Sequence, residues 1–447
     1  MRSAAVVLLG SALTLFTYGD AGAQAPMIFW QSLGDTTLVR LVEEALTVNR
    51  DVRATEARSR AAGAQRVEAA LDLAPAISAT AGYTRQRFSR AAIPGAPGPF
   101  PDQDVWDAGL ELSWELDAFG RVRNQLEGRD ALVDAAEEDA RDVRVLVAAE
   151  VARAYFDLRG TRDRLAVARR NADNQLRTLE LTRDRLEAGS GTALDVERAQ
   201  AQLSSTLAEL PTLEAAIAAT RHRIAVLVGR EPESLTHELD GAGPALDLPS
   251  EVVVNDHRDA VRLRPDVLSA ASRLAADRAF VSSAKAAYLP RVSLGGVAGY
   301  TANAFGALGD TGTPRYALGA VVSWPFLDLG RVKAGVDEAR AHEIEAEARH
   351  DQAVLEAREE IETSLTAYHR ARERLRHLGD AAAASERATE LARLRFEEGG
   401  TDFLEVLDAE RRQLEAQDRL AAGHTEAAGW LVSVYRATGG ASALPGG

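Results

Sequence analysis

Glu405 and Asp408 stand three positions apart in a stretch without proline, so their carboxylates share one face if that stretch is helical. Spacing alone reads them as a solvated face, with Asp408 pairing Arg411 or Arg412 for a few tenths of a kcal/mol. The other residues that could do chemistry resolve the same way. His342 and His350, and likewise His369 and His377, are eight residues apart, about 12 Å along a helix, too far to share a metal. The runs Glu343 to Glu347 and Glu359 to Glu362 read as solvated faces. Gly295-Gly296-Val297-Ala298-Gly299 falls in a strand pattern with no following helix to hold a phosphate. No nucleophile, metal cluster or nucleotide motif emerges, so no catalytic residue, cofactor or metal is expected, and the chain does not read as an enzyme.

The elements that would position those acids come in two copies. Ser113 to Arg123 aligns without a gap on Ser323 to Lys333, and the separation of 210 residues persists through Glu150/Glu360, Arg185 to Gly189 on Arg395 to Gly399, and Gly229/Gly439. Upstream the separation is 215, pairing Asp51-Val52 with Asp266-Val267 and Pro75 with Pro290, so a loop of different length lies between Pro75 and Ser113. The expected organisation is a first repeat over 24–229, an equatorial connector over 230–255, a second repeat over 256–438 and a flexible tail over 439–447.

Arg2, the apolar run Ala4 to Phe16 and the small residues Ala21-Gly22-Ala23 read as an export signal over 1–23. The run is well short of the roughly 20 residues a spanning helix needs. The chain contains no cysteine, which excludes disulfides, thiolate metal sites and lipid attachment through cysteine. Its formal charge is -15, and removing Arg2 and Asp20 leaves 51 basic against 66 acidic residues; with no basic block, nucleic acid is not an expected partner.

Each repeat begins with a helical stretch, 38–73 or 256–287. Each continues with two period-two strands: about 75–88 and 104–117 in the first, about 290–301 and 315–327 in the second. Ile77, Ala79, Ala81 and Tyr83 share a face; so do Trp106, Leu110, Trp114 and their neighbours. The Pro/Gly run from Pro94 to Pro99 and the segment Gly306 to Pro314 read as hairpin tips. Long helices over about 121–188 and 331–398 follow, each about 100 Å if straight. Glycines stop them at Gly189 and Gly191, and at Gly399 and Gly400; return helices then run over about 192–228 and 401–438. Pro211 should kink or break the first return helix.

Strands of 10 to 12 residues with one apolar face and aromatic ends suit a transmembrane barrel, but four cannot close one, and an open edge in lipid leaves backbone groups unpaired at several kcal/mol each. A barrel of about eight or more strands requires further copies of the chain. Trp106, Trp114 and Trp324 would then form an aromatic girdle.

The chain resembles the TolC-like outer membrane factor family, in particular its resistance-nodulation-division (RND) tripartite efflux branch. The resemblance spans nearly all residues after the export signal. It rests on Trp114 through Gly120-Arg121-Val122-Arg123 and its second copy, Arg264-Pro265-Asp266-Val267 followed by Tyr288-Leu289-Pro290, and the tips Arg185-Leu186-Glu187-Ala188-Gly189 and Arg395-Phe396-Glu397-Glu398-Gly399. It implies an α+β membrane protein: a homotrimer whose 12-stranded barrel sits in the outer membrane of a Gram-negative bacterium, continued by a long periplasmic helical barrel. Its partners would be outer membrane lipid, a periplasmic adaptor docking at tips built from Arg185, Gly189, Gly191, Thr192, Arg395, Gly399, Gly400 and Thr401, and an inner-membrane RND transporter.

Carried over from the family, a periplasmic gate falls on Glu405 and Asp408, with Asp195 at the matching place in the first repeat. The arginine and tyrosine latch of some members is replaced here by Thr401 and Phe396, so closure rests on packing, for instance of Phe403 and Leu404. The implied function is a passive exit duct for small molecules. The same fold also serves type I protein secretion, and a periplasmic adaptor or scaffold without a pore is the reading from a different class.

Overall fold

A computed structural model describes residues 27–89, 101–236, 238–239, 248–250, 252–253, 257–440 and 444–445. The export signal over 1–23 and the Pro/Gly run from Pro94 to Pro99 lie outside the described residues. In chain order the elements are α1 (Thr36–Val48), α2 (Arg50–Leu71), β1 (Ala76–Gln86), β2 (Gln103–Leu116), α3 (Arg121–Glu187), α4 (Ala193–Leu227), β3 (Val252–Val253), α5 (His257–Arg262), α6 (Pro265–Ala286), β4 (Arg291–Ala302), β5 (Pro314–Ser323), α7 (Leu329–Glu397), α8 (Phe403–Ala437) and β6 (Leu444–Pro445).

Four strands form one antiparallel sheet in the order β1-β2-β4-β5, leaving β1 and β5 as edges. The register stacks like on like: Tyr83 faces Trp106, Ile77 faces Leu112, Leu110 faces Ala298, and Ala298 faces Tyr316. One side of the sheet is therefore continuously apolar, while Ser78, Glu111 and their neighbours occupy the other. The last strand was expected to reach 327 and stops at Ser323. Pro325 has no N–H for the ladder, so Trp324 leaves the strand.

The long helices α3 and α7 span the protein. At one half α2 packs on α3, and α6 lies between α3 and α7; at the other, α4, α3, α8 and α7 follow one another as a wall. The main core lies where α1 and the chain before it meet the middle of that wall. Trp30, Leu38, Leu41, Val151, Leu158, Ile224, Tyr368, Leu431 and Tyr435 are all buried there. Asp35 holds this joint: it caps α1 by accepting from the amides of Thr37 and Leu38, and accepts from the Tyr155 hydroxyl at 2.7 Å and Arg159 at 2.8 Å.

Two expectations are corrected. The stretches 38–73 and 256–287 are each two helices, broken at Asn49 and Arg264. The Asn49 carboxamide oxygen caps α2 through the amides of Asp51 and Val52 while its Nδ2 donates to the Leu227 carbonyl at 2.8 Å. Arg264 precedes Pro265, which disfavours a helical conformation; it is extended (ψ 132°) and donates to the Ala437 carbonyl at 3.0 Å. Secondly, α4 runs unbroken through Pro211. The proline is exposed, so water can satisfy the carbonyl it frees. Beyond α8, Leu444–Pro445 pairs with Val252–Val253 as a short antiparallel ladder.

Gly128 on α3 meets α6 without clearance: a Cβ there would lie 2.3 Å from the Phe280 ring. Gly128→Ala is expected to destabilise by roughly 1–3 kcal/mol through overpacking. A lowered urea midpoint of the helical signal would register it; an unchanged midpoint would mean that the ring moves aside freely.

Candidate functional site

Both helical hairpins turn on the same device. Gly189 (φ 74°) and Gly399 (φ 76°) adopt the left-handed conformation that glycine tolerates. The next amide then reaches back: Ser190 N–H to the Arg185 carbonyl at 2.8 Å, and Gly400 N–H to the Arg395 carbonyl at 2.7 Å. This closes the orphan carbonyls of a helix end. Gly191 sits against the backbone of Arg185 and Leu186, where a side chain would crowd. Thr192 caps α4 and donates its hydroxyl to Asp195 at 2.6 Å; Asp402 caps α8 by accepting from the Glu405 amide at 3.2 Å.

The sequence-predicted acids gather just past the second turn. Asp402, Leu404, Glu405, Leu407, Asp408 and Arg411 of α8 and its cap, with Gln202 of α4, line a groove of about 500 Å³. Within it Glu405 accepts the Thr401 hydroxyl, and Asp408 is paired with Arg411 at 2.8 Å and Arg412 at 2.9 Å. Within the chain, then, Asp408 has the ion pairs that helical spacing alone predicted, and these exposed pairs are worth little. Asp195 is apart from the groove lining and has Arg198 at 3.9 Å. Leu404 is exposed, whereas Phe403 is buried against Phe396 at 5.7 Å between ring centres.

Other residues join the two hairpins and were not singled out in the sequence. Glu410, 2 % exposed, accepts from Thr178 of α3 at 2.6 Å and from two nitrogens of Arg393 at 3.0 and 2.8 Å. The signal was available: Phe403, Val406, Glu410 and Gln413 form one buried helical stripe, so Glu410 is an acid in an apolar file. Arg185, which the resemblance places at a tip, is part-buried. It donates to the Phe396 carbonyl at 2.6 Å and lies 4.3 Å from that ring's centre, while Arg395 is exposed.

At the sheet, Trp106 stacks with Tyr83 (4.6 Å) and Phe305 (5.2 Å) near the hairpin loops. Trp114 and Trp324 lie at the helix end, where their indole N–H groups donate to the carbonyls of Leu73 and Tyr288, both at 3.0 Å. Among the described residues no group of three or more His, Cys, Asp or Glu could hold a metal, and no helix is long and apolar enough to cross a membrane.

The sequence pattern of the outer membrane efflux protein family matches residues 41–230 and 258–440. The pyoverdine export outer membrane protein OpmQ of Pseudomonas aeruginosa is 31% identical over 427 residues, 92% of this chain and 87% of its own length. Outer membrane protein OprJ of the same organism is 30% identical, over 94% of this chain and 87% of its own. The solved structure of the outer-membrane channel OprN superposes with a TM-score of 0.87 at 39% identity, covering 94% of this chain and 96% of OprN.

Proposed function

This chain belongs to the outer membrane efflux protein family of TolC-like channels, which are not enzymes, and on that premise we propose that it is the passive exit duct of a tripartite pump for small molecules. The observation that carries the reading is the sheet. Its four strands present an unbroken apolar side and two open edges, a combination that lipid tolerates only if the edges are paired.

Three copies of the four strands close a 12-stranded barrel, and three copies of the wall α4-α3-α8-α7 close a 12-helix tunnel. The two halves of the chain act as repeats in this wall. On β2, Trp106 and Trp114 are separated by eight residues, about 27 Å of strand and about 20 Å of height at the tilt of a barrel strand, which spans most of an apolar band about 25 Å tall flanked by aromatic girdles. The tunnel then points its glycine turns away from the outer membrane, toward a periplasmic adaptor and an RND-type inner-membrane transporter. Residues 1–23 would export the chain, and with no cysteine it would reach the membrane without a thioether-linked lipid.

In the trimer the groove acids form rings. Three Glu405 and three Asp408 carboxylates attract cations at the periplasmic end and, as they crowd one another, resist its closure, even though Arg411 and Arg412 offset part of the Asp408 charge. The purified chain in planar bilayers is expected to give discrete conductance steps. Glu405→Ala with Asp408→Ala is expected to raise the step size and reduce block by multivalent cations. Unchanged steps and block would remove the gate assignment; the absence of any steps would remove the channel reading itself.

A further inference from the structure

At the level of the main core, α7 and α8 leave a groove of about 350 Å³ between them. Glu356, Glu359 and Glu360 of α7 and Trp430, Ser433 and Arg436 of α8 line it. Helical spacing fixes which face of the wall this is. Ile361 of α7 and Leu431 of α8 are buried in the joint with α1, and Glu359 and Ser433 each stand two positions from them, about 200° round the helix. The groove therefore lies on the face turned away from α1. If copies assemble as proposed above, on which this inference rests, that face lines the tunnel. A ring of twelve helices about 10 Å apart encloses a space only about 30 Å across, and three α1 layers, each about 10 Å thick, would fill it. So α1 lies outside the ring and the groove inside.

The charges of the groove do not cancel. Glu360 is shared between Arg264 at 2.9 Å and Arg436 at 3.0 Å. Glu356 accepts from the neutral Gln352 amide at 2.9 Å, and neither it nor Glu359 has an ion-pair partner among the described residues. Beside these two carboxylates Trp430 is half-buried, packed on the core along one side and lining the groove along the other. Helix packing does not demand this set. At the separation of 210 residues Glu356, Glu359 and Trp430 become Leu146, Ala149 and Thr220, while Glu150, the counterpart of Glu360, is again held by an arginine, Arg223 at 2.8 Å. The first half of the chain thus keeps the paired acid and omits the indole and both unpaired carboxylates. Solvation accounts for two exposed acids, but not for an indole beside them, whose apolar area gains nothing from the water of an open duct.

We propose that this luminal groove binds small organic cations carrying an aromatic ring, one in each copy, with the ring against the Trp430 indole and the positive group facing Glu356 and Glu359. Its volume suits a molecule of two or three fused rings. The indole offers such a molecule both apolar area and an electron-rich face for the charge. An anion of the same shape would meet two uncompensated carboxylates, because Arg436 is already held by Glu360. A groove of this kind gives the exit duct a preferred class of passenger.

The test uses the full chain in lipid nanodiscs with ethidium, a planar aromatic monocation, and fluorescein as an aromatic anion of similar size. Ethidium anisotropy is expected to rise saturably, whereas fluorescein is expected not to bind. Glu356→Gln with Glu359→Gln keeps the shape of two exposed side chains and is expected to weaken ethidium binding on the order of tenfold. Trp430→Leu is expected to weaken it on a similar scale, and Trp430→Phe, which keeps an aromatic face, to recover part of the loss. Should Trp430→Leu fail to fold, the glutamine pair and Trp430→Phe carry the test. A protein that gives conductance steps but binds no ethidium, binds fluorescein equally well, or loses no affinity in the glutamine pair would overturn the proposal while the channel reading stands. Ethidium binding that depends on Glu356, Glu359 and Trp430 in a protein without steps would remove the duct and keep the groove as a binding site. Neither steps nor binding would overturn both.

Discussion

Arg264→Ala is expected to cost the fold about 3–5 kcal/mol, the scale on which removing one partner from a buried ion network is felt. Arg264 is 7 % exposed. Its guanidinium makes a two-pronged pair with Asp266 (2.9 and 2.7 Å), donates to Glu360 at 2.9 Å and holds the Ala437 carbonyl at the end of α8 at 3.0 Å. One side chain thus ties the α5–α6 break to both α7 and α8. Alanine would leave the Ala437 carbonyl and the Asp266 carboxylate without it, while Glu360 would keep Arg436 at 3.0 Å. Lysine cannot reproduce the fork, so Arg264→Lys is expected to recover only part of the loss. Asn49 does the same job at the other helix break with a neutral amide, and Asn49→Ala should cost less, about 1–2 kcal/mol. Urea midpoints of the three variants, ordered Arg264→Ala below Arg264→Lys and below Asn49→Ala, test the assignment. An Arg264→Ala midpoint equal to that of the unaltered protein would refute it.

The difference between those two breaks shows which parts of the fold were legible in the sequence. Period-two alternation from Ile77 to Tyr83 and from Trp106 to Trp114 reports a local rule, that successive side chains face opposite ways, and the strands lie there. The glycine stops are local too: Gly189 and Gly399 supply the left-handed turn their helices need. The break at Asn49 was less legible because the residue is only a moderate helix breaker; what fixes it is a carbonyl 178 residues away. At Pro211 the helix is not broken, since an exposed helix face supplies water to the carbonyl that proline strands.

The candidate site divides along the same line. The pairing of Asp408 with Arg411 and Arg412 follows from helical spacing and is present in the structure. The inward turn of Arg185 onto Phe396, 211 residues on, and the burial of Glu410 between Thr178 and Arg393 depend on which hairpin lies beside which. No short window of sequence contains Arg185 with Phe396 or Thr178 with Glu410, although Arg393 lies only 17 residues before Glu410. The resemblance to a family with two adjoining hairpins directed attention to the acids of the groove instead.

Asp142→Asn is expected to stabilise the protein at neutral pH and to leave it unchanged in acid. Asp142 lies on α3 beside the Arg264 network, mostly buried; burial first, and the neighbouring Asp266 second, push its carboxyl up from 3.8 to about 6, against the opposing pull of Arg264 and Arg436. The folded protein therefore holds a proton that the unfolded chain has already released between those two values. Stability is lost as pH rises through that window, and above about 6 the whole penalty is present. Asparagine keeps the shape and removes the charge, so the variant should match the unaltered protein below the window and exceed it above by roughly 1–3 kcal/mol, the upper figure discounted because water still reaches the group. Unfolding midpoints measured across that range for both proteins supply the test, and a difference independent of pH would show that the carboxyl is not the titrating group. Because Arg264 is one of the charges that ease the ionised state of Asp142, the benefit of asparagine should be larger in the Arg264→Ala background than alone, and two additive effects would mean that the carboxyl and the guanidinium do not sense each other.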